Sequence, residues 1–274
     1  MKKQKGFTLI ELLVVIAIIA LLLAIIIPSL RTAKLYAQAA VCLSNANGLL
    51  KGWTLYAQDN NDRLVGPVNS SIVSPDYSWV MYPQDINGQS VPDAATVKED
   101  EIRGIQKGLL FKYIENPDSY HCPADKRYLE PCPGGTGTLG WRTYSISSGI
   151  GPCSLFETQQ YLKYYPHTKI TTIPNPGNKY VFLEEGERHR GYNLNAWVFK
   201  PLLYDKLTDS LGFFHGDKSI MGFADGHAEK HIWWDKDIID RSRDGAAGDF
   251  TVSNPESEDM VFLRQNFTYE RLYQ

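Results

Sequence analysis

The chain has 274 residues, 43% of them hydrophobic and 22% charged, with a formal net charge of -3. These proportions are ordinary for a folded protein and exclude a mainly disordered chain. The slight acidic excess excludes a broad nucleic-acid surface, which shows as a basic one.

Lys2, Lys3 and Lys5 form a short basic leader, and from Phe7 to Leu30 the sequence is apolar or small apart from Thr8, Glu11, Pro28 and Ser29. Residues 12–30 carry no charge and would reach roughly 28 Å as a helix at about 1.5 Å per residue, close to the hydrocarbon thickness of a bilayer. This predicts a membrane helix. A secretory signal cut near Ala37-Gln38-Ala39 competes with it, but the apolar run is long and holds a glutamate. A plain single-span anchor with Glu11 near the interface is the other reading. Glu11 is the anomaly, because a carboxylate in lipid without a partner costs several kcal/mol. The leader lysines, set against Arg31 and Lys34, favour a cytoplasmic N-terminus and an extracytoplasmic remainder.

Beyond Pro28, the residues Leu35, Ala39, Cys42, Leu43, Ala46, Leu49, Leu50, Trp53 and Tyr56 recur at helical spacing. The helix is expected from about residue 7 to 57, ending at the turn-rich cluster 58–62. In an oxidising compartment the four cysteines would be open to disulfide formation. Cys122, Cys132 and Cys153 share a Pro/Gly-rich region and are the pairing candidates, whereas Cys42 on the apolar stripe reads as a buried free thiol.

Residues 64–95 read as loops and short strands, and 102–114 as a short helix ended by Asn116-Pro117. Residues 131–140 read as a loop. Strands are expected at 143–150, 180–183, 196–199, 219–224 and 228–233. Residues 241–249 read as a charged, Gly-rich loop, and 262–273 carry no clear period. In the hairpin reading, Asp225-Gly226 supplies a type I′ turn and His215 hydrogen-bonds back to it. A divalent cation at His215, Asp225 and His227 is the rival reading, suiting zinc better than calcium. Asp235, Asp237, Asp240, Asp244 and Asp249 read as exposed, solubilising charge, with calcium on a flexible loop as the rival reading, and Glu184, Glu185 and Glu187 as a solvated surface stretch rather than paired catalytic carboxylates. The tryptophans could build a carbohydrate-stacking face, although core packing accounts for them equally well. There is no G-x-S-x-G elbow, H-E-x-x-H pair or P-loop, so no enzyme is expected.

Five stretches resemble one family. Lys5-Gly6-Phe7-Thr8-Leu9-Ile10-Glu11 resembles the signal of type IV pilins and type II secretion pseudopilins. Residues 40–45 with 56–60, and Tyr120-His121-Cys122-Pro123-Ala124-Asp125, resemble large pilin-like proteins of Planctomycetes and Lentisphaerae. His215 followed after nine residues by Asp225-Gly226 resembles their H-X9-DG element. The resemblance implies an α+β pilin-like fold, a long N-terminal helix packed on an antiparallel sheet head with long loops. It divides the chain into a leader (1–6), a membrane and assembly helix (7–30), an amphipathic half-helix (31–58) and a head (59–274).

The implied function is a structural pilus or pseudopilus subunit without catalytic residues or a required cofactor. A prepilin peptidase would cut between Gly6 and Phe7 and methylate Phe7. Glu11 would pair with a neighbouring subunit's amine, and Pro28 would kink the helix. Implied partners are other pilin-like subunits, a secretion or pilus assembly platform and the membrane, with no nucleic acid. The implied location is the inner membrane with a periplasmic head, or the cell surface after assembly. The alternative is a tethered carbohydrate- or metal-binding module that uses the signal only for sorting.

Overall fold

A computed structural model describes residues 8–67, 77–152, 164–188, 196–245 and 248–271. Its first element, α1 (Leu9–Asp59), is one continuous 51-residue helix. Thr8 starts it with a capping box: Thr8 N donates to Glu11 Oε2 at 2.9 Å and Glu11 N to Thr8 Oγ1 at 3.3 Å. These bonds occupy donors that every helix start leaves without an intrahelical partner. Pro28 offers no N–H to the turn before it, yet the helix runs through, with Ser29 Oγ bonded to the Ile25 carbonyl and Thr32 Oγ1 to that of Pro28.

The two halves of α1 differ in what covers them. No residue of its apolar membrane-length window is buried, and Leu9, Leu21 and Ile25 are among its exposed side chains. From Ala39 onward one stripe is buried: Ala39, Cys42, Ala46, Leu49, Leu50, Trp53, Tyr56 and Ala57. This is the spacing of three and four read from the sequence, and the head is what it faces.

The head is built on a five-stranded sheet of order β4 (Ala196–Trp197), β1 (Tyr144–Ser147), β3 (Tyr180–Glu184), β6 (Lys218–Phe223) and β7 (Ala228–Ile232). All neighbours are antiparallel except β1 with β4. Strands β1 and β3 are buried along their whole length because the sheet is covered on both faces. On one face Tyr144, Ile146, Phe182 and Ile220 pack with the α1 stripe. On the other, Leu183, Met221, Phe223 and Trp233 pack with Ile238 of α4 (Lys236–Asp244) and with Met260 and Leu263 of α5 (Glu258–Asn266). The period-two alternation of β6 divides these sides, with Ile220 toward α1 and Met221 and Phe223 away from it. The shorter pairs β2 (Tyr164–Tyr165) with β9 (Glu270–Arg271) and β5 (Lys206–Leu207) with β8 (Phe250–Thr251) lie outside this sheet.

Three sequence expectations need correction. The helix expected at 102–114 is two, α2 (Lys98–Lys107) and α3 (Phe111–Ile114), broken where Gly108 passes so close to Trp79 that a Cβ would lie 2.2 Å from its carbonyl oxygen. Of the charged loop expected at 241–249, residues 241–244 are the end of α4. Arg241 and Arg243 complement its last turn, and Gly245 at φ +66° caps it. The region without clear period begins inside α5, whose N-cap Ser257 accepts from Met260 N.

Candidate functional site

The N-terminal helix is the first candidate. Glu11 is held within its own helix cap, where Thr8 N and Thr8 Oγ1 both donate to Oε2, at 2.9 and 2.8 Å. The partial positive charge of the helix start favours a carboxylate there. Gly6 and Phe7 lie outside the described residues.

At the sheet's far edge, four residues connect β6 to β7, and the bond between Phe223 and His227 encloses three of them, Ala224, Asp225 and Gly226. Gly226 N bonds to the Phe223 carbonyl at 3.0 Å and Phe223 N to the His227 carbonyl at 2.8 Å, with Gly226 at φ +97°. Asp225 keeps a negative φ, so this is a type I turn closed by a glycine bulge and not the expected type I′ turn. Asp225 Oδ1 accepts from His227 N at 3.0 Å and lies 2.5 Å from His227 Nδ1. Burial works against that carboxylate, but the bonds from His227 hold its pKa below the ordinary value. The pair is partly exposed, and His227 stacks on Phe223 with centroids 4.5 Å apart.

His215 does not reach this turn, so neither the expected bond nor the set His215, Asp225 and His227 forms. His215 is buried under α1 instead, with Nε2 3.3 Å from Cys122 Sγ and 3.3 Å from Glu184 Oε1. Cys42 Sγ of α1 lies 2.7 Å from Cys122 Sγ. The ligand-type atoms of these four buried residues all lie within 4.8 Å of one another. Cys42, Cys122 and Cys132 are free thiols, and the neighbour of Cys122 is Cys42, not Cys132; Cys153 lies outside the described residues. Burial pushes the Cys122 thiol far up. Burial lowers His215, but Cys122 and Glu184 outweigh it and raise the imidazole to about 10.

A dry network of charges surrounds this cluster. Asp125 takes Arg127 in a two-pronged pair, Nε to Oδ1 at 3.1 Å and the second prong to Oδ2 at 2.8 Å, and Thr143 Oγ1 also donates to Oδ2 at 2.8 Å. Glu101 accepts from Trp141 N at 2.6 Å and Arg142 N at 3.0 Å, yet burial drives its carboxyl up to about 7. Glu184, Glu185 and Glu187 are at most 4% exposed, which overturns the solvated-surface reading. Strand β3 runs through the middle of the sheet, so its polar end is enclosed with the rest. Ser145 bonds to Glu185, and Ile220 N to Glu184 Oε2 at 2.9 Å.

The other expectations resolve simply. Asp235 caps α4, Asp237 accepts from Ser253 N, Asp240 pairs with Lys236 and Asp249 with Lys200, so these acids serve local structure. Five of the six tryptophans are buried and Trp234 alone is exposed, at 74%, so the tryptophans form core and not a stacking face.

Residues 1–27 match the family model of the prokaryotic N-terminal methylation motif. The chain is 49% identical over 61 residues to the type IV wide pilus major component PilA4 of Thermus thermophilus, covering 22% of this chain and 47% of that protein. The chain thus spans about half the length of this curated relative. No solved structure matches it.

Proposed function

We propose that this chain, type IV pilin-like by its methylation motif and by its similarity to a type IV pilin, is a structural subunit that assembles through α1 into a pilus or pseudopilus. One observation carries the reading. The apolar half of α1 has none of its membrane-length window buried, while the polar-faced half is fixed to a folded head. Burying a large aliphatic side chain is worth about 1.5–3 kcal/mol, so this half needs lipid before assembly and neighbouring helices after it.

In this reading a prepilin peptidase cuts between Gly6 and Phe7 and methylates Phe7. The segment 7–30 then spans the inner membrane from a cytoplasmic start, with the head on the far side until assembly on a pilus or secretion platform. Glu11 has two partners in turn. Before assembly its carboxylate is satisfied by Thr8 within its own cap. During assembly a neighbour's N-terminal ammonium supplies a full opposite charge in a low-dielectric bundle, where such attraction is much stronger than in water. No step of this function requires catalysis by the head.

N-terminal mass analysis of the chain from its native membrane tests processing: it should begin at methylated Phe7, and a start at Met1 or near Ala40 would sink the proposal. Glu11→Val should leave cleavage intact while abolishing filaments seen by shear release and electron microscopy. Normal filaments from that variant would remove Glu11 from assembly. The sorting-only module is the second reading. It predicts a processed, monomeric membrane protein with or without Glu11.

A further inference from the structure

The site beneath α1 draws on four separate parts of the chain. Cys42 comes from the head-facing half of α1, Cys122 from the turn after the short helix Pro117–Tyr120, Glu184 from the end of β3, and His215 from the loop leading into β6. Their residue exposures are 0%, 0%, 0% and 8%. Two thiols, an imidazole nitrogen and a carboxylate oxygen therefore meet in one dry pocket. We propose that Cys42, Cys122, Glu184 and His215 bind one zinc ion, which fastens α1 to the head.

The donor set supports this choice. Thiolate, imidazole and carboxylate together suit a tetrahedral zinc site, whereas calcium and magnesium take oxygen ligands. Zinc bonds of about 2.3 Å to sulfur and about 2.0–2.1 Å to nitrogen and oxygen set tetrahedral edges of ~3.5 Å for S to N and ~3.4 Å for N to O. The corresponding distances are 3.3 Å for Cys122 Sγ to His215 Nε2 and 3.3 Å for His215 Nε2 to Glu184 Oε1. The sulfurs, 2.7 Å apart, must separate by about 1 Å, and the other ligand atoms already lie within 4.8 Å of one another.

The surroundings orient the ligands. Ile220 N holds Glu184 Oε2 at 2.9 Å, while Oε1, the atom facing the cluster, has no hydrogen-bond partner among the described residues. Tyr144 Oη donates to the Cys42 carbonyl at 2.8 Å and fixes that turn of α1, and Thr143 Oγ1 accepts from Cys122 N at 3.0 Å. Without a metal, Nε2 makes one hydrogen bond at a time whichever tautomer His215 takes, yet it faces both Cys122 Sγ and Glu184 Oε1 at 3.3 Å. A disulfide between the sulfurs would employ neither His215 nor Glu184. Zinc employs all four groups. On binding, both Sγ–H groups and any hydrogen on His215 Nε2 give up their protons, to solvent or, for Nε2, to Nδ1 of the same ring, as two Zn–S bonds, one Zn–N bond and one Zn–O bond form, with no change in oxidation state.

The test uses the full-length chain in detergent, reduced and freed of metal by a chelator, then titrated with zinc or cobalt alone. Zinc should bind at roughly one ion per chain and release protons, as closed structural sites do. It should also protect Cys42 and Cys122 from alkylation until the chelator returns. Cobalt should give a thiolate-to-metal charge-transfer absorption that Cys42→Ser weakens, and His215→Ala and Glu184→Gln should each lower the affinity for zinc by at least tenfold. The cobalt spectrum of the unsubstituted chain decides the matter even if the variants fail to fold. Alkylation of both thiols in the presence of excess zinc would overturn the proposal. So would a purified chain whose mass is two hydrogens short and whose peptides join Cys42 to Cys122.

Discussion

Asp125→Asn is the sharpest test of how the head is held together. The carboxylate is fully buried, and its partner Arg127 is 1% exposed. Asp125 accepts from the Arg127 guanidinium on both oxygens, from Arg127 N at 3.0 Å and from Thr143 Oγ1 at 2.8 Å. Asparagine keeps the shape but removes the charge and turns one acceptor into a donor aimed at donors. The guanidinium then stays buried without the Asp125 carboxylate, although Arg127 keeps its bond to the Glu187 carbonyl at 2.7 Å and the more distant Glu185 and Glu101. Breaking one side of such a pair costs about 3–5 kcal/mol. With a urea slope of about 2 kcal/mol/M, the midpoint should fall by roughly 1.5–2.5 M. Urea unfolding of the full chain in detergent, followed by the fluorescence of the buried tryptophans, measures this. Arg127→Met added to Asp125→Asn removes the orphaned charge and should recover a large part of the loss, since replacing both members with apolar groups is often near neutral. A single variant costing under about 1 kcal/mol, or a double variant worse than the sum of the singles, would refute the reasoning.

Two further predictions concern packing and pH. Gly222→Ala places a Cβ 2.9 Å from Leu50 Cδ1 and 3.1 Å from its Cγ, where β6 meets α1, and should cost about 1–3 kcal/mol by overpacking. Leu50→Ala should cost about 2–5 kcal/mol alone, yet less in the Gly222→Ala background, and strict additivity in a double-mutant cycle would refute the contact. Glu101 has its pKa raised from 4.5 to about 7. The folded chain therefore holds this proton more tightly than the unfolded one. The contribution is complete below pH 4.5 and disappears as pH rises through 7, an effect on the order of 3 kcal/mol. Glu101→Gln should be less stable than the original chain at pH 5 by more than at pH 8, and a gap independent of pH would count against it.

The relation of sequence to structure differs between α1 and the head. The apolar window from residue 12 and the stripe from Ala39 to Tyr56 are local periodic patterns, and the helix obeys both because each is satisfied within one element. The five strands of the main sheet are legible in the sequence, whereas the two-residue strands β2, β5, β8 and β9 are too short to carry a period. Helices α4 and α5 are not legible, since nine-residue helices with strong charge carry little apolar period and rest on caps such as Asp235 and Ser257. Glu184, Glu185 and Glu187 look solvated as text because burial belongs to the sheet's position between two layers, and no short stretch of residues encodes that.

By itself the sequence determined the processing-type N-terminus, the long helix with two different faces, and the alternation of the sheet. These depend on contacts a few residues apart. Only the tertiary structure decided what His215 faces. Its partners lie 93 residues back at Cys122 and on β3 at Glu184, and Cys42 stands 80 residues before Cys122. They come together because the α1 stripe docks on the sheet, and that docking uses the same apolar periodicity that makes Cys42 read as one more core residue.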